Sequence, residues 1–136
     1  MAKQFTLSNS ERLKSRKLIE NLFGQGKTFA VYPFRIYYSV VPADESRFMI
    51  QFGVGVSRKN FKKAVDRNKI KRLTREAYRL QKNNLHEKVR ANNKRLLLFF
   101  IYTAKEAVDF HTTKEEVKQI LTRLIKIVDE NNSSDT

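Results

Sequence analysis

The spacing of apolar residues changes several times along this chain, and the first segment has the period of a helix. Its apolar stripe consists of Leu18, Ile19, Leu22 and Phe23. Ser8 and Glu11 match a capping box, which predicts a helix from residue 9 or 10 to Phe23. Gly24 and Gly26 follow, and glycine readily takes the left-handed conformation that ends a helix.

The pattern then changes to the two-residue period of β-strands. Thr28–Tyr32 is predicted as a short strand, and Pro33 separates it from a second strand over Phe34–Val41. Residues 42–46 have the composition of a turn. A third strand is predicted over Arg47–Ser57.

Two glycines lie on one face of the third predicted strand. The opposite face is apolar and consists of Phe48, Ile50, Phe52, Val54 and Val56. Gly53 and Gly55 would either let another group approach the backbone closely or mark a twist or bulge. The sequence alone leaves both interpretations open.

The stretch from Gly53 to Leu80 organises the chain, because the strand leads through a basic loop into a helix with segregated faces. At about 100° per residue, one arc contains Arg67, Asn68, Lys71, Arg72, Arg75 and Arg79, together with Tyr78 and Lys82. A separate arc contains Ile70, Leu73, Ala77 and Leu80. Such segregation predicts one buried and one solvated side. Arg67, Lys71 and Arg75 form an i,i+4 row of like charges, which destabilises a helix and favours a polyanionic partner.

The remaining segments complete an alternating α/β order. Gln81–Lys94 is predicted to prolong the helix up to a loop at Asn92 and Asn93. The apolar run Arg95–Thr103 fits a strand buried on both faces beside a parallel partner, which gives a βαβ-like unit over residues 47–103. Thr112 or Thr113 is predicted to cap the last helix. Its core stripe is Val117, Ile120, Leu121, Leu124 and Val128.

Length and composition favour one basic domain. With 136 residues, a single domain over residues 7–130 is predicted, flanked by tails over 1–6 and 131–136. The chain has 28 basic and 14 acidic residues, a net charge of +14, and therefore predicts an anionic partner, nucleic acid before membrane. There is no cysteine, no apolar run of membrane-spanning length and no apolar signal region, so a soluble cytoplasmic protein is expected.

The sequence offers no convincing catalytic group. The two histidines, His86 and His111, lie in polar segments without ligand spacing. Asp66 and Glu76 are the only carboxylates in the basic stretch, whereas nuclease metal sites need clustered carboxylates. Phosphate-binding glycine motifs are also absent. Any phosphodiester chemistry would therefore need metal ligands from another molecule.

The basic stretch resembles the signature of a known family. Residues 64–72 read AVDRNKIKR and are followed by Arg75 and Glu76, which is similar to the "RNR" signature of the bacterial ribonuclease P protein component. The preceding GVGVSRK at 53–59 is similar to that family's strand with a basic end. Leu13–Phe23, Phe34–Val40, Leu96–Tyr102 and the last helix also fit, so the resemblance covers nearly the whole chain.

The resemblance implies an α+β single domain of order α-β-β-β-α-β-α. Its sheet would be small and mostly antiparallel, with a left-handed βαβ crossover, and packed by helices. It also implies a protein subunit of an endoribonuclease, in which an RNA subunit with Mg²⁺ removes the 5′ leader of precursor tRNA. No metal site is expected in the protein itself, and the isolated protein is expected to be a monomer.

The resemblance assigns two groups of site residues. Those facing the RNA subunit would be Ser57, Arg58, Lys59, Arg67, Asn68, Lys69, Lys71, Arg72 and Arg75. The cleft for the single-stranded leader would be lined by Ile19, Phe23, Phe34 and Tyr37, with Ile19 at a position that is often aromatic in the family. Phe34 and Tyr37 lie on opposite strand faces, and core packing is the alternative role for Phe23 and Phe34.

Three other functions fit parts of the sequence. A ribosomal or other structural RNA-binding protein of similar architecture shares the composition. A metal-dependent nuclease acting alone would cleave RNA without an RNA subunit. An anionic-membrane binder would need a large exposed apolar anchor, which the basic face lacks.

Overall fold

The structure, a computed structural model, describes residues 11–43 and 49–134, the last four by their backbone alone. The elements in chain order are α1 (Arg16–Gln25), β1 (Lys27–Val31), β2 (Phe34–Pro42), β3 (Ile50–Val56), α2 (Ala64–Gln81), α3 (Asn83–Ala91), β4 (Lys94–Tyr102) and α4 (Phe110–Ser134). The predicted order is confirmed, except that one predicted helix is divided into α2 and α3.

The four strands form one sheet in the order β1-β2-β4-β3. β2 pairs antiparallel with both β1 and β4, whereas β3 pairs parallel with β4. The mostly antiparallel sheet and the βαβ unit across β3 and β4 are therefore confirmed. The left hand of that crossover stays an expectation from the resemblance.

The alternation of side chains divides the sheet into two different faces. The first face packs into the core, and its buried residues include Phe34, Ile36, Phe52, Leu96, Leu98, Phe100 and Tyr102. It packs with residues of α2, α3 and α4 into one core, and Phe52 stacks on Tyr78 of α2 with ring centroids 4.1 Å apart. Leu97, Phe99 and Ile101 on the second face of β4 are only partly buried. The expectation of a strand fully buried on both faces is therefore wrong for the second face.

The N-terminal segment departs most from the prediction. α1 begins at Arg16, and the Ser15 hydroxyl accepts a hydrogen bond from the Leu18 amide at 3.3 Å. Before it, Arg12 forms a parallel bridge with Phe52, and the Leu13 amide donates to the Phe52 carbonyl at 2.8 Å. The predicted helix is therefore wrong over residues 12–15, where Arg12 and Leu13 pair with the edge of β3 and do not form helical hydrogen bonds. Ser8, the predicted cap, lies outside the described residues.

Helix ends elsewhere differ by smaller amounts. Gly24 lies inside α1, and Gly26 ends it with an extended φ of −73° rather than a left-handed one. Lys82 separates α2 from α3. Asp109, not Thr112 or Thr113, caps α4, since its carboxylate accepts from the Thr112 amide at 2.7 Å.

The structure describes part of one of the two predicted tails. The α4 backbone continues to Ser134, so residues 131–134 are helical and not a separate tail. Residues 1–6 and most of the predicted turn, from 44 onward, lie outside the described part of the chain.

Candidate nucleic-acid interface

The outer side of α2 carries most of the predicted basic residues. Asn68, Lys69 and Arg72 are exposed, and Arg67, Lys71 and Arg75 are partly buried. Ile70 and Ala77 are buried on the core side, as predicted. Lys69 lines a cavity of about 630 Å³ with Phe61 and Phe110, so it stands apart from the row of Arg67, Lys71 and Arg75.

The buried side of α2 is rotated from its predicted position. Tyr78 is buried and stacked on Phe52, and Thr74 is buried with its hydroxyl donating to the Ile70 carbonyl at 2.8 Å. Leu80, predicted to be buried, is 37% exposed. Lys82 is only 4% exposed and forms an internal ion pair. Tyr78 and Lys82 therefore do not belong to the solvated basic side.

Arg67 is engaged within the protein and shapes the basic loop before α2. Its Nη1 donates to the carbonyls of Phe61 and Lys62 at 2.8 and 2.9 Å. In the same loop the Ser57 hydroxyl accepts from the Lys59 amide at 3.1 Å. Arg58 and Lys59 are exposed. Arg67 thus holds this loop against the start of α2 as well as carrying charge.

Charge compensation along α2 is confined to its last turns. Arg79 pairs with Glu76, its Nε donating to Oε2 at 3.1 Å, and this hydrogen bond lowers the pKa of the Glu76 carboxyl. Within residues 11–43 and 49–130, Lys71, Arg72 and Arg75 have no carboxylate partner. A band of uncompensated cations therefore remains on the outer side of the helix.

The second sheet face carries an aromatic cluster against α1. The Phe23 ring lies 4.8 Å from the Tyr37 ring and 5.3 Å, edge to face, from the Phe99 ring. Phe23 remains 43% exposed, while Ile19 on the same helix is partly buried. The structure therefore brings Phe23 and Tyr37 together at the surface, as predicted, and adds Phe99 to them.

The glycines of β3 make room for Phe99. A Cβ atom at Gly53 would lie 2.7 Å from two atoms of the Phe99 ring, and one at Gly55 would lie 3.2 Å from that ring. Phe99 is opposite Tyr37 and Gly53 in the strand register. The interpretation of a close approach is therefore confirmed, and the approaching group is an internal side chain.

The assignment of Phe34 to the leader cleft is wrong. Phe34 is 1% exposed, and its ring packs against Phe100 and Tyr102 at 5.6 and 5.5 Å on the core face. Because side chains alternate along β2, Phe34 and Tyr37 point to opposite faces of the sheet. Core packing, the alternative role, is the one that the structure supports.

Comparison with known proteins identifies the family of this arrangement. The family model described as Ribonuclease P matches residues 7–125. The chain belongs to the ribonuclease P protein family. The ribonuclease P protein component of Porphyromonas gingivalis is 38% identical over 120 residues, covering 88% of this chain and 87% of the relative. That of Chlorobaculum tepidum is 30% identical over 127 residues, covering 88% and 82%.

Solved structures of the family have the same fold. The ribonuclease P protein of Thermotoga maritima is 30% identical with a TM-score of 0.64, covering 83% of this chain and 96% of that one. The Staphylococcus aureus protein is 22% identical with a TM-score of 0.59, covering 82% and 93%, and supports the fold alone. The resemblance of the basic signature to the ribonuclease P family is therefore confirmed.

The described side chains of this ribonuclease P protein do not form a metal site. Across residues 11–43 and 49–130, no group of three or more histidine, aspartate or glutamate side chains is placed to hold a metal ion. None of the described helices is both long enough and apolar enough to cross a bilayer.

Proposed function

We propose that this chain is the protein subunit of a ribonuclease P that binds the RNA subunit through α2 and the 5′ leader of precursor tRNA through the aromatic cluster. The observation that carries the proposal is the set of uncompensated cations at Lys71, Arg72 and Arg75. Like charges at i,i+4 destabilise the free helix. Phosphates would remove that repulsion on binding, which favours a polyanion over water as the partner.

The chemistry is assigned to the RNA subunit. Mg²⁺ would stabilise the attacking and leaving oxygens in the hydrolysis of a phosphodiester, and the described residues contain no cluster of three or more histidine, aspartate or glutamate side chains placed to hold a metal ion. We therefore assign the Mg²⁺ ligands to the RNA subunit and the substrate. The protein's contribution is to neutralise phosphate charge, which lowers the Mg²⁺ concentration that the complex needs.

The aromatic cluster suits an unpaired leader of variable sequence. Every base has a π face, so stacking on Phe23, Tyr37 or Phe99 is tolerant of sequence and is worth about 1–3 kcal/mol per base. The exposed part of Phe23 is available for such stacking. Mature tRNA lacks a leader, and so this contact would favour binding of the precursor.

Reconstitution with the cognate RNA subunit tests the proposal. The complex is expected to cleave precursor tRNA at lower Mg²⁺ than the RNA alone and to bind precursor more tightly than mature tRNA. Phe23→Ala should reduce that preference about fivefold or more, by loss of one stacked base. Tyr32→Ala is the matched control, because Tyr32 is 64% exposed and lies outside the cluster.

Two results would contradict the proposal in different ways. Equal binding of precursor and mature tRNA, with no effect of the protein on Mg²⁺ dependence, would favour a ribosomal or other structural RNA-binding protein. Cleavage by the protein with Mg²⁺ and no RNA subunit would instead establish a nuclease that acts alone.

Location and oligomeric state belong to the same proposal. Precursor tRNA is processed where it is made, so the proposed location is the cytoplasm. We also propose that the free protein is a monomer, because mutual repulsion of its +14 net charge opposes self-association without RNA. Sedimentation of the free protein would reveal a dimer if this is wrong.

A further inference from the structure

Arg12 is held between two fixed points on the N-terminal segment. On one side, Glu11 accepts a hydrogen bond from Lys82 at 2.6 Å. On the other, the Leu13 amide donates to the Phe52 carbonyl at 2.8 Å. Arg12 itself is paired with Phe52 along the edge of β3. Its backbone position is therefore set by contacts on both sides and does not depend on its own side chain.

The Arg12 side chain is placed where a guanidinium is costly. Its Nε is buried and has no hydrogen-bond partner among the described residues. A buried polar donor without a partner destabilises the folded state. The position of Arg12 is thus unfavourable in the free protein.

Arg75 on α2 lies near Arg12. Phe52, the partner of Arg12, stacks on Tyr78, one turn along α2 from Arg75. Partial burial and the neighbouring Arg12 charge lower the pKa of Arg75. Neither arginine has a carboxylate partner in the described part of the chain. Two partly buried cations are therefore close enough to repel one another.

We infer that Arg12 and Arg75 jointly bind one phosphodiester of an RNA backbone, so that the N-terminal segment and α2 form a composite phosphate site. The inference rests on the proposed function and adds a residue outside the basic helix to its interface. A phosphate placed against the solvent-accessible part of the two partly buried guanidinium groups would accept hydrogen bonds from both and would remove the repulsion between them.

The site lies between the two surfaces of the proposed interface. The Leu13 carbonyl is adjacent to Gly53, where a Cβ atom would be 3.1 Å from it and 2.7 Å from the Phe99 ring. Arg75 belongs to α2, which presents the cationic side. The bound phosphate can therefore come from the RNA subunit or from the leader, and both carry the same diester chemistry.

The experiment compares Arg12→Met, Arg75→Met and the double variant with the wild-type protein. Methionine keeps the length of the apolar stem and removes the charge. Lys126→Met, an exposed lysine on α4, is the matched control. Each variant is titrated with the RNA subunit over a series of KCl concentrations, and then, as the assembled complex, with precursor and mature tRNA.

Joint binding of one phosphate predicts non-additive losses. Each single variant should bind RNA about tenfold more weakly, as expected for one charge-assisted contact. Both residues bind the same phosphate in this arrangement. The RNA affinity of the double variant should therefore fall by much less than about a hundredfold, which is the product of the two single losses. The slope of log affinity against log salt should change by about 0.7–0.9 in each single variant and no further in the double variant.

Thermal stability separates a binding role from a structural one. Removing an unpartnered charge should leave the melting temperature of Arg12→Met unchanged or raised, while RNA binding falls. Losses in RNA-subunit affinity would assign the phosphate to that subunit. A loss seen only in the preference for precursor over mature tRNA would assign it to the leader.

Several outcomes would overturn the inference without affecting the proposed function. Normal binding of the RNA subunit together with a normal preference for precursor over mature tRNA in Arg12→Met is one such outcome. Fully additive losses of affinity are another, since they indicate two separate phosphates. A fall of several degrees in the melting temperature of Arg12→Met would assign Arg12 a structural role. If the wild-type protein itself fails to bind the RNA subunit, the proposed function fails first and the phosphate site fails with it.

Discussion

Lys82 donates a 2.6 Å hydrogen bond to Glu11, although the two residues are 71 positions apart. The lysine side chain is 4% exposed and the glutamate side chain 18%, so the pair is largely removed from solvent. His86 Nε2 lies 3.6 Å from the same carboxylate oxygen. This ion pair connects the N-terminal segment to the junction between α2 and α3.

Breaking the Lys82–Glu11 pair should be costly. Glu11→Gln or Lys82→Met leaves one buried charge uncompensated and is expected to lower the free energy of unfolding by about 3–5 kcal/mol. The free energy of unfolding of the double variant should fall by much less than the sum of the two single effects, because neither charge remains. Urea denaturation measures all three. Glu20→Gln, which breaks the exposed Arg16–Glu20 pair, should change little. Equal effects of Glu11→Gln and Glu20→Gln would contradict the prediction.

His86 should make stability depend on pH. Burial, then the charges of Lys82 and Arg90, lower its pKa below 6.5, while Glu11 opposes the shift. The unfolded state therefore binds more protons once the pH falls through 6.5, and the free energy of unfolding should decrease until the folded pKa is passed. Denaturation at pH 7 to 5 should show this decrease in the wild-type protein and a flatter profile in His86→Gln.

The acidic groups with lowered pKa values do not interfere in this pH window. Glu76, Asp109 and Asp129 all have pKa values below 4.5 in the folded state, so their stabilising contributions are lost only at lower pH. Parallel profiles for wild type and His86→Gln between pH 7 and 5 would show that His86 has no part in the effect.

Replacing Gly53 and Gly24 by alanine should change the stability of the protein in opposite directions. Gly53→Ala places a Cβ atom 2.7 Å from the Phe99 ring and 3.1 Å from the Leu13 carbonyl, so the ring must move, at a cost of about 1–3 kcal/mol. Gly24 lies inside α1, and an added Cβ would meet no atom within 4 Å beyond its chain neighbours and the adjacent helix backbone. Gly24→Ala should therefore stabilise by about 0.5–1 kcal/mol. Thermal melting compares them, and a neutral Gly53→Ala would mean that Phe99 relaxes freely.

Substitutions of Lys71 and Arg67 should differ in their effect on stability, although both residues carry one charge in the same row. Lys71→Ala is expected to reduce the salt slope of RNA-subunit binding by about 0.7–0.9 with little change in stability. Arg67→Ala should do the same and also destabilise by about 1 kcal/mol, since the carbonyls of Phe61 and Lys62 lose their donor. Arg67→Lys should restore the slope but not the stability. An unchanged slope in either alanine variant would remove that residue from the interface.

The sequence predicted the elements well where local pattern and tertiary packing agree. β2 follows its two-residue period, and β4 lies within one residue of its predicted bounds. The predicted basic residues Asn68, Lys71 and Arg72 of α2 are exposed or partly buried, as their spacing indicates. The start of α1 was predicted wrongly because the pairing of Leu13 with Phe52 keeps the residues before Ser15 out of the helix. Leu13 and Phe52 are 39 residues apart in the sequence, so the local pattern around the helix start does not predict their contact.

The aromatic cluster shows the same limit. The run RLLLFFIYT at 95–103 is uniformly apolar, so it gave no sign that Phe99 lies on the partly open face while Phe100 is buried. The register of β4 against Tyr37 and Gly53 supplies that information. Tyr78 and Lys82 were misplaced because both have long apolar stems that can be buried when a stacking ring or a carboxylate is available.

Arg12 and Leu13, which lie beside Phe52, also cover part of the edge of β3. β3 is the last strand on its side of the sheet, and Arg12 and Leu13 occupy hydrogen-bonding positions along its outer margin. An uncovered margin of this kind offers a template on which a second molecule can add a strand. Arg12 and Leu13 thus cover part of the margin on which a second molecule could otherwise add a strand.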